Sequence, residues 1–216
     1  MYKTLRFILD LIYPSRCPAC GDFIGYMDGF CKECESKINM YEKDYKIKYS
    51  DLSVSVCFYD ENISTAVYTL KDKGGNAPYA FGLGISKLIE SYKISKVTDF
   101  IIAVPMYKKD KLKRGFNQTE LMVKEVSKIT GIPYNFDAIF KNRETRHQKT
   151  LSREERIVNL RNAFSVKNPE VISGKSIIVI DDLCTTGSTL SEISRILKEN
   201  GAKNVFCCTY CRTSPR

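Results

Sequence analysis

Two adjacent aspartates, two pairs of cysteines and a cluster of lysines carry most of the chemistry legible in these 216 residues. Asp181-Asp182 follow the apolar run Ile177-Ile178-Val179-Ile180, and Leu183-Cys184-Thr185-Thr186-Gly187-Ser188-Thr189 comes next. A helix beginning there offers free backbone N–H groups, the usual anion site at a helix N-terminus. Thr185, Thr186, Ser188 and Thr189 add hydroxyl donors, and Gly187 lets the backbone come close to a phosphate. Carboxylates repel phosphate, so Asp181 and Asp182 read instead as acceptors for sugar hydroxyls one phosphate away. A threonine-rich turn without a ligand is the plain alternative. Cys17-x2-Cys20, ten residues, then Cys31-x2-Cys34 is the spacing of four thiolates closing a tetrahedral, structural Zn²⁺ site. Lys108, Lys109, Lys111, Lys113 and Arg114, with Tyr107 and Phe116 among them, form a basic cluster suited to a dense anion or to single-stranded nucleic acid. A solvated charged surface would look the same.

These groups need elements to hold them. Phe100–Val104, Ile177–Ile180 and Val205–Cys208 are unalternated apolar runs, the pattern of strands buried on both faces. Asn117 with Glu120 predicts a helix start, and Gly131 with Pro133 its stop. Thr189 with Glu192 predicts a second start, and Asn200-Gly201 its end. Alternation of strand and helix means an α/β fold with a parallel sheet, whose ligands sit beyond the C-terminal strand ends. The cysteine-rich residues 1–50 then form an N-terminal helix and zinc ribbon, and 51–216 the α/β domain. Leu5–Tyr13 predicts a short amphipathic helix with its apolar face buried. The charged stretch 141–161 reads as a long exposed loop running into a helix, with the loop Arg146–Arg153 able to close over the pocket and exclude water. It contains His147, the only histidine. Lys71 sits before a turn, either as a surface charge or as part of a cap over the pocket. Cys57, Cys207, Cys208 and Cys211 read as small buried hydrophobes, and Cys184 as a loop filler.

The stretch DDLCTTGST resembles the 5-phosphoribosyl-1-pyrophosphate (PRPP) motif of type I phosphoribosyltransferases. The resemblance narrows when further stretches are added in order: the N-terminal cysteine pairs, Val104-Pro105, Arg114-Gly115-Phe116-Asn117-Gln118, Gln148–Ser152 and Arg156–Arg161. Together they are similar to the ComF family, associated with bacterial competence for DNA uptake. The resemblance implies a type I phosphoribosyltransferase-like parallel sheet flanked by helices behind the ribbon. It gives Asp181 and Asp182 the ribose hydroxyls and the catalytic position. Thr185, Thr186, Gly187, Ser188 and Thr189 take the 5′-phosphate. The loop Val104–Lys109, near Tyr107, Lys108, Lys109, Lys111 and Arg114, takes pyrophosphate, with Mg²⁺ accompanying PRPP. Cys184 stands where many members have a small or aliphatic residue.

Composition bounds the remaining classes. Hydrophobic residues make up 43% and charged residues 27%, which excludes fibrous and wholly disordered chains. No apolar run reaches the length of a membrane span, so no membrane insertion is expected. No cleavage site follows the N-terminal helix, so the expectation is a cytoplasmic protein with reduced thiols. The net charge is +9, and residues 105–165 contribute +7 of it. That favours a polyanionic partner. Three functions fit: a PRPP-binding protein that handles internalised single-stranded DNA, a transferase passing ribose 5-phosphate from PRPP to an acceptor, or a ribbon module recruiting a DNA translocase or helicase.

Overall fold

The computed structural model describes residues 2–72, 75–144 and 160–214. The expected loop Arg146–Arg153, with His147, Gln148–Ser152 and Arg156–Asn159, lies outside the described residues.

Four parallel strands form the central sheet, in the order β1-β6-β5-β2. They are β1 (Leu52–Phe58), β2 (Phe100–Ala103), β5 (Ser176–Cys184) and β6 (Asn204–Arg212). All four residues of β2 and the first five of β5 are buried. This is why both read as unalternated Ile/Val runs: each face is covered. On one face lie α3 (Glu61–Asp72), α4 (Ala77–Ser91) and α6 (Gln118–Thr130), sharing a core with Ile101, Ile178, Phe206 and Tyr210. α4 comes very close to α6, where a Cβ on Gly82 would meet Glu125 Cβ at 2.7 Å. On the other face, α7 (Ser188–Glu199) and the antiparallel pair β3 (Ile139–Lys141) and β4 (Phe164–Val166) cover Ile102, Ile177, Val179 and Val205. α1 (Tyr2–Ile12), the short α2 (Lys32–Ser36) and the basic α5 (Lys108–Arg114) lie outside these two layers.

Several sequence expectations meet specific corrections. Asn117 does cap α6, its Oδ1 accepting from Thr119 N–H at 3.0 Å, and Gly131 ends the helix at φ 78°. Glu120, however, turns away from the cap and pairs with Lys111 at 2.7 Å, because a full ammonium outcompetes a backbone N–H. α7 begins at Ser188, one residue before Thr189, with Gly187 at φ 75° as its cap. β5 ends not at the two aspartates but at Cys184, because β6 pairs with it as far as Arg212. α1 forms, but its apolar side chains are not buried: Phe7, Ile8, Leu9, Leu11 and Ile12 are 48–69% exposed. Arg6 supplies much of its attachment, stacking 3.4 Å above the Tyr79 ring. No helix among the described residues is long and apolar enough to cross a membrane.

The cysteine-rich segment packs on the α3–α4 side. Cys17 and Phe30 belong to the same buried core as Phe81 and Ile85. The following segment lies antiparallel along the free edge of β1, through Met40 beside Cys57 and Asp44 beside Val54. It thereby covers that sheet edge. It then crosses to the start of α7, where Ile47 is buried against Gly187.

Candidate functional site

β5 delivers Asp181 and Asp182 to the C-terminal end of the sheet, and α7 presents its N-terminus beside them. Between lies a cavity of about 230 Å³ lined by Asp181, Asp182, Thr185, Gly187, Ser188 and Thr189, with Lys71 at its wall. Thr186 faces the neighbouring cavity on the linker side, and its hydroxyl lies 2.9 Å from that of Ser188. Thus two carboxylates and the hydroxyl-rich loop do converge. Gly187 is fixed by two constraints: positive φ, and contact with Ile47, whose Cδ1 would lie 2.3 Å from an added Cβ.

The acidic pair is electrostatically asymmetric. Asp182 is buried, with 5% of its surface exposed. Its Oδ2 lies 2.7 Å from Lys71 Nζ, and its Oδ1 accepts a long hydrogen bond from Gln118 Nε2 at 3.5 Å. Gln118 Oε1 in turn accepts from Arg114 at 2.6 Å. Asp181 is half-buried and accepts the Asp182 N–H at 2.9 Å. Burial, reinforced by the adjacent Asp182 carboxylate, pushes the Asp181 carboxyl well above the usual carboxylate range. Burial works against the Lys71 charge, but Asp182 outweighs it and holds the ammonium above the ordinary lysine range.

A second cavity, about 190 Å³, lies on the other side of Asp181. Val104, Pro105, Met106, Asn117, Gln118, Thr119, Lys141 and Thr189 line it. Asn117 Nδ2 donates to the Val104 carbonyl at 3.1 Å, tying the loop after β2 to the start of α6. Lys141 is half-buried, and burial lowers its pKa. Sequence reasoning passed over Lys141, since a lone lysine in a charged stretch gives no signal. Gln118 stood out only through the RGFNQ resemblance. For Lys71 the sequence gives both a surface and a cap reading, because its partner Asp182 is 111 residues away.

The basic cluster is divided by the structure. Tyr107 caps α5 and is half-buried. Lys108, Lys109 and Lys113 are exposed. Lys111 is engaged with Glu120, and Arg114 with Gln118. Cys184 is buried at the end of β5, and burial raises its pKa, so the helix N-terminus does not activate it.

Cys17, Cys20, Cys31 and Cys34 form the second centre. Their four sulfurs all lie within 4.8 Å of one another. Cys20 Sγ and Cys31 Sγ are 3.7 Å apart, matching the ~3.8 Å edge of a tetrahedron with ~2.3 Å Zn–S bonds. The thiol set fits a structural Zn²⁺ with no open coordination position. The acidic pair does not fit a resident divalent ion in the same way. Among the described residues the cysteines are the only converging group of three or more metal-ligating side chains.

Comparison with known proteins agrees with this division. A family model described as Phosphoribosyl transferase domain matches residues 112–215, and one described as Double zinc ribbon domain matches residues 8–45. The chain is 31% identical to the DNA utilization protein YhgH of Escherichia coli O157:H7 over 202 residues, covering 91% of this chain and 84% of that protein. It is 34% identical to Competence protein F of Haemophilus influenzae over 111 residues, 51% of this chain and 48% of that one. A solved structure titled as the allosteric regulatory enzyme of purine biosynthesis aligns over 64% of this chain and 28% of its own, at 24% identity and a TM-score of 0.44.

Proposed function

The chain belongs to the ComF family, to which its YhgH and Competence protein F relatives point, and from that premise we propose that it binds PRPP at the end of β5 and serves DNA uptake by handling single-stranded DNA. One observation carries the PRPP half. The ribose-type pair Asp181 and Asp182 and the phosphate-type residues Thr185, Gly187, Ser188 and Thr189 line one cavity. Mg²⁺ enters this reading as a chelate of the ligand's own diphosphate. The DNA half is supported by the names of the relatives and by the exposed lysines of α5.

Calorimetric titration of Mg²⁺-PRPP into wild type and Asp182→Asn tests the first half. Binding lost in the variant supports a working ribose pocket; no binding by a folded, zinc-loaded wild type removes it. For DNA, charge reversal at Lys108, Lys109 and Lys113 is the informative change, because Lys111 and Arg114 already have internal partners. It should abolish binding of an oligothymidine probe while leaving zinc content unchanged. Wild-type affinity should fall with salt by a logarithmic slope of about −0.7 per phosphate neutralised. A flat salt response would remove the assignment.

A second reading, transfer of ribose 5-phosphate to an acceptor, is favoured by the 190 Å³ cavity beside Asp181, walled by the loop after β2. In it the bond from ribose C1 to pyrophosphate breaks and one from C1 to the acceptor forms, with the acceptor's proton lost. Asp181 and Asp182 would hold the ribose, and the loop from Val104 to Lys109 the departing pyrophosphate. Acceptor-dependent pyrophosphate release is its test.

A further inference from the structure

A sugar phosphate brings negative charge into a pocket that already contains two carboxylates. A divalent cation bridging protein and ligand is the common chemical solution. The side chains here are arranged otherwise. Asp182 Oδ2 is taken by Lys71 Nζ at 2.7 Å, and its Oδ1 faces Gln118 Nε2. Asp181, half-buried beside it, is driven toward its neutral form. No third acidic or histidine ligand joins them among the described residues.

Lys71 is held in this position by its helix. It comes from the last turn of α3, whose Ile63, Ala66, Val67 and Leu70 are buried in the core. Its side chain is 34% exposed and lines the same cavity as the phosphate loop. The ammonium therefore faces both the acidic pair and the space that a sugar phosphate would fill. We propose that Lys71 is the built-in counter-cation of this pocket, so that a ribose 5-phosphate group binds without a divalent metal. The inference rests on the PRPP reading above and names how that site balances its charge. Lys71 acts as a binding and positioning residue, holding the Asp182 carboxyl group in place as a hydroxyl acceptor through the 2.7 Å ion pair.

The test uses ribose 5-phosphate itself, which lacks the diphosphate that chelates Mg²⁺ in PRPP. It is titrated calorimetrically into the full zinc-loaded chain, with and without Mg²⁺. The metal-free buffer is prepared on a chelating resin, because soluble chelator would compete for the ribbon zinc. Wild-type affinity should change by less than about twofold between the two buffers, and Lys71→Met should weaken metal-free binding by at least about tenfold. Mg²⁺ should restore part of that loss, which a purely structural role for Lys71 would not produce. Lys71→Arg keeps the charge and should bind close to wild type. Zinc content and thermal unfolding, compared across all three proteins, show whether each variant is folded. A wild type that binds only with Mg²⁺, or a folded Lys71→Met that binds like wild type without it, overturns the inference alone. A folded wild type that binds neither ribose 5-phosphate nor PRPP in either buffer overturns the PRPP reading and this inference together.

Discussion

Asp181 shows at the scale of one residue how the proposed binding site would oppose stability. Its carboxyl is pushed up by burial and by Asp182, so between its unfolded value, about 3.9, and its higher folded value the native state binds more protons than the unfolded one. Stability contributed by the protonated form is fully present below about pH 4 and is lost as pH rises through the folded value. Asp181→Asn removes that dependence while keeping an oxygen to accept the Asp182 N–H. At neutral pH it should melt above wild type, by about 2–4 °C for each kcal/mol relieved, and the gap should close below about pH 4. The same variant should lose ribose 5-phosphate affinity. Melting curves across pH check the first outcome, and an unchanged or lower melting temperature at neutral pH would contradict it.

At the scale of elements, the loop Thr185–Thr189 depends on a segment far away in sequence. Ile47, in the stretch leading from the ribbon to β1, packs on Gly187 at the start of α7. Gly187→Ala would force a methyl group into Ile47 and strain a positive-φ position, costing about 1–3 kcal/mol. Ile47→Ala made in the same chain should recover part of that loss, because it removes the clash but not the backbone strain. Denaturant unfolding of the two single variants and the double measures this coupling. Strict additivity would mean that the linker does not shape the loop.

Across the whole molecule, the ribbon and the α/β domain share a core. Cys17 and Phe30 are buried with residues of α4 and β6, and Phe81 stacks on Tyr210 with ring centres 3.9 Å apart within it. Structural zinc sites contribute folding energy directly. Stripping zinc under reducing conditions, or replacing Cys20 with serine, should therefore lower the melting temperature of the domain as a single transition. Zinc content should fall in parallel. Zinc loss with an unchanged domain transition would show the ribbon to be energetically separate.

The sequence by itself determined the local features. Buried strands showed as unbroken Ile/Val runs, the ends of α6 as Asn117 and Gly131, the zinc centre as two cysteine pairs, and the turn from β5 into α7 as a strand, an acidic pair and TTGST in order. Each is encoded by neighbours within a few residues, where spacing and backbone preference act directly. The N-terminal helix was legible as a helix, yet the exposure of its apolar side was not, since burial depends on what packs against it. Only the tertiary structure decided the side-chain pairings: that Lys71 reaches Asp182, that Lys111 and Arg114 are occupied, that Ile47 seats on Gly187, and that Lys141 enters a second cavity. These pairings lie between 4 and 140 residues apart, and those linking different elements follow from the packing of helices on the sheet, which no local pattern records. Charge shows the difference most clearly, because the Lys71–Asp182 ion pair joins the end of one helix to the end of one strand and exists only once both pack on the same sheet.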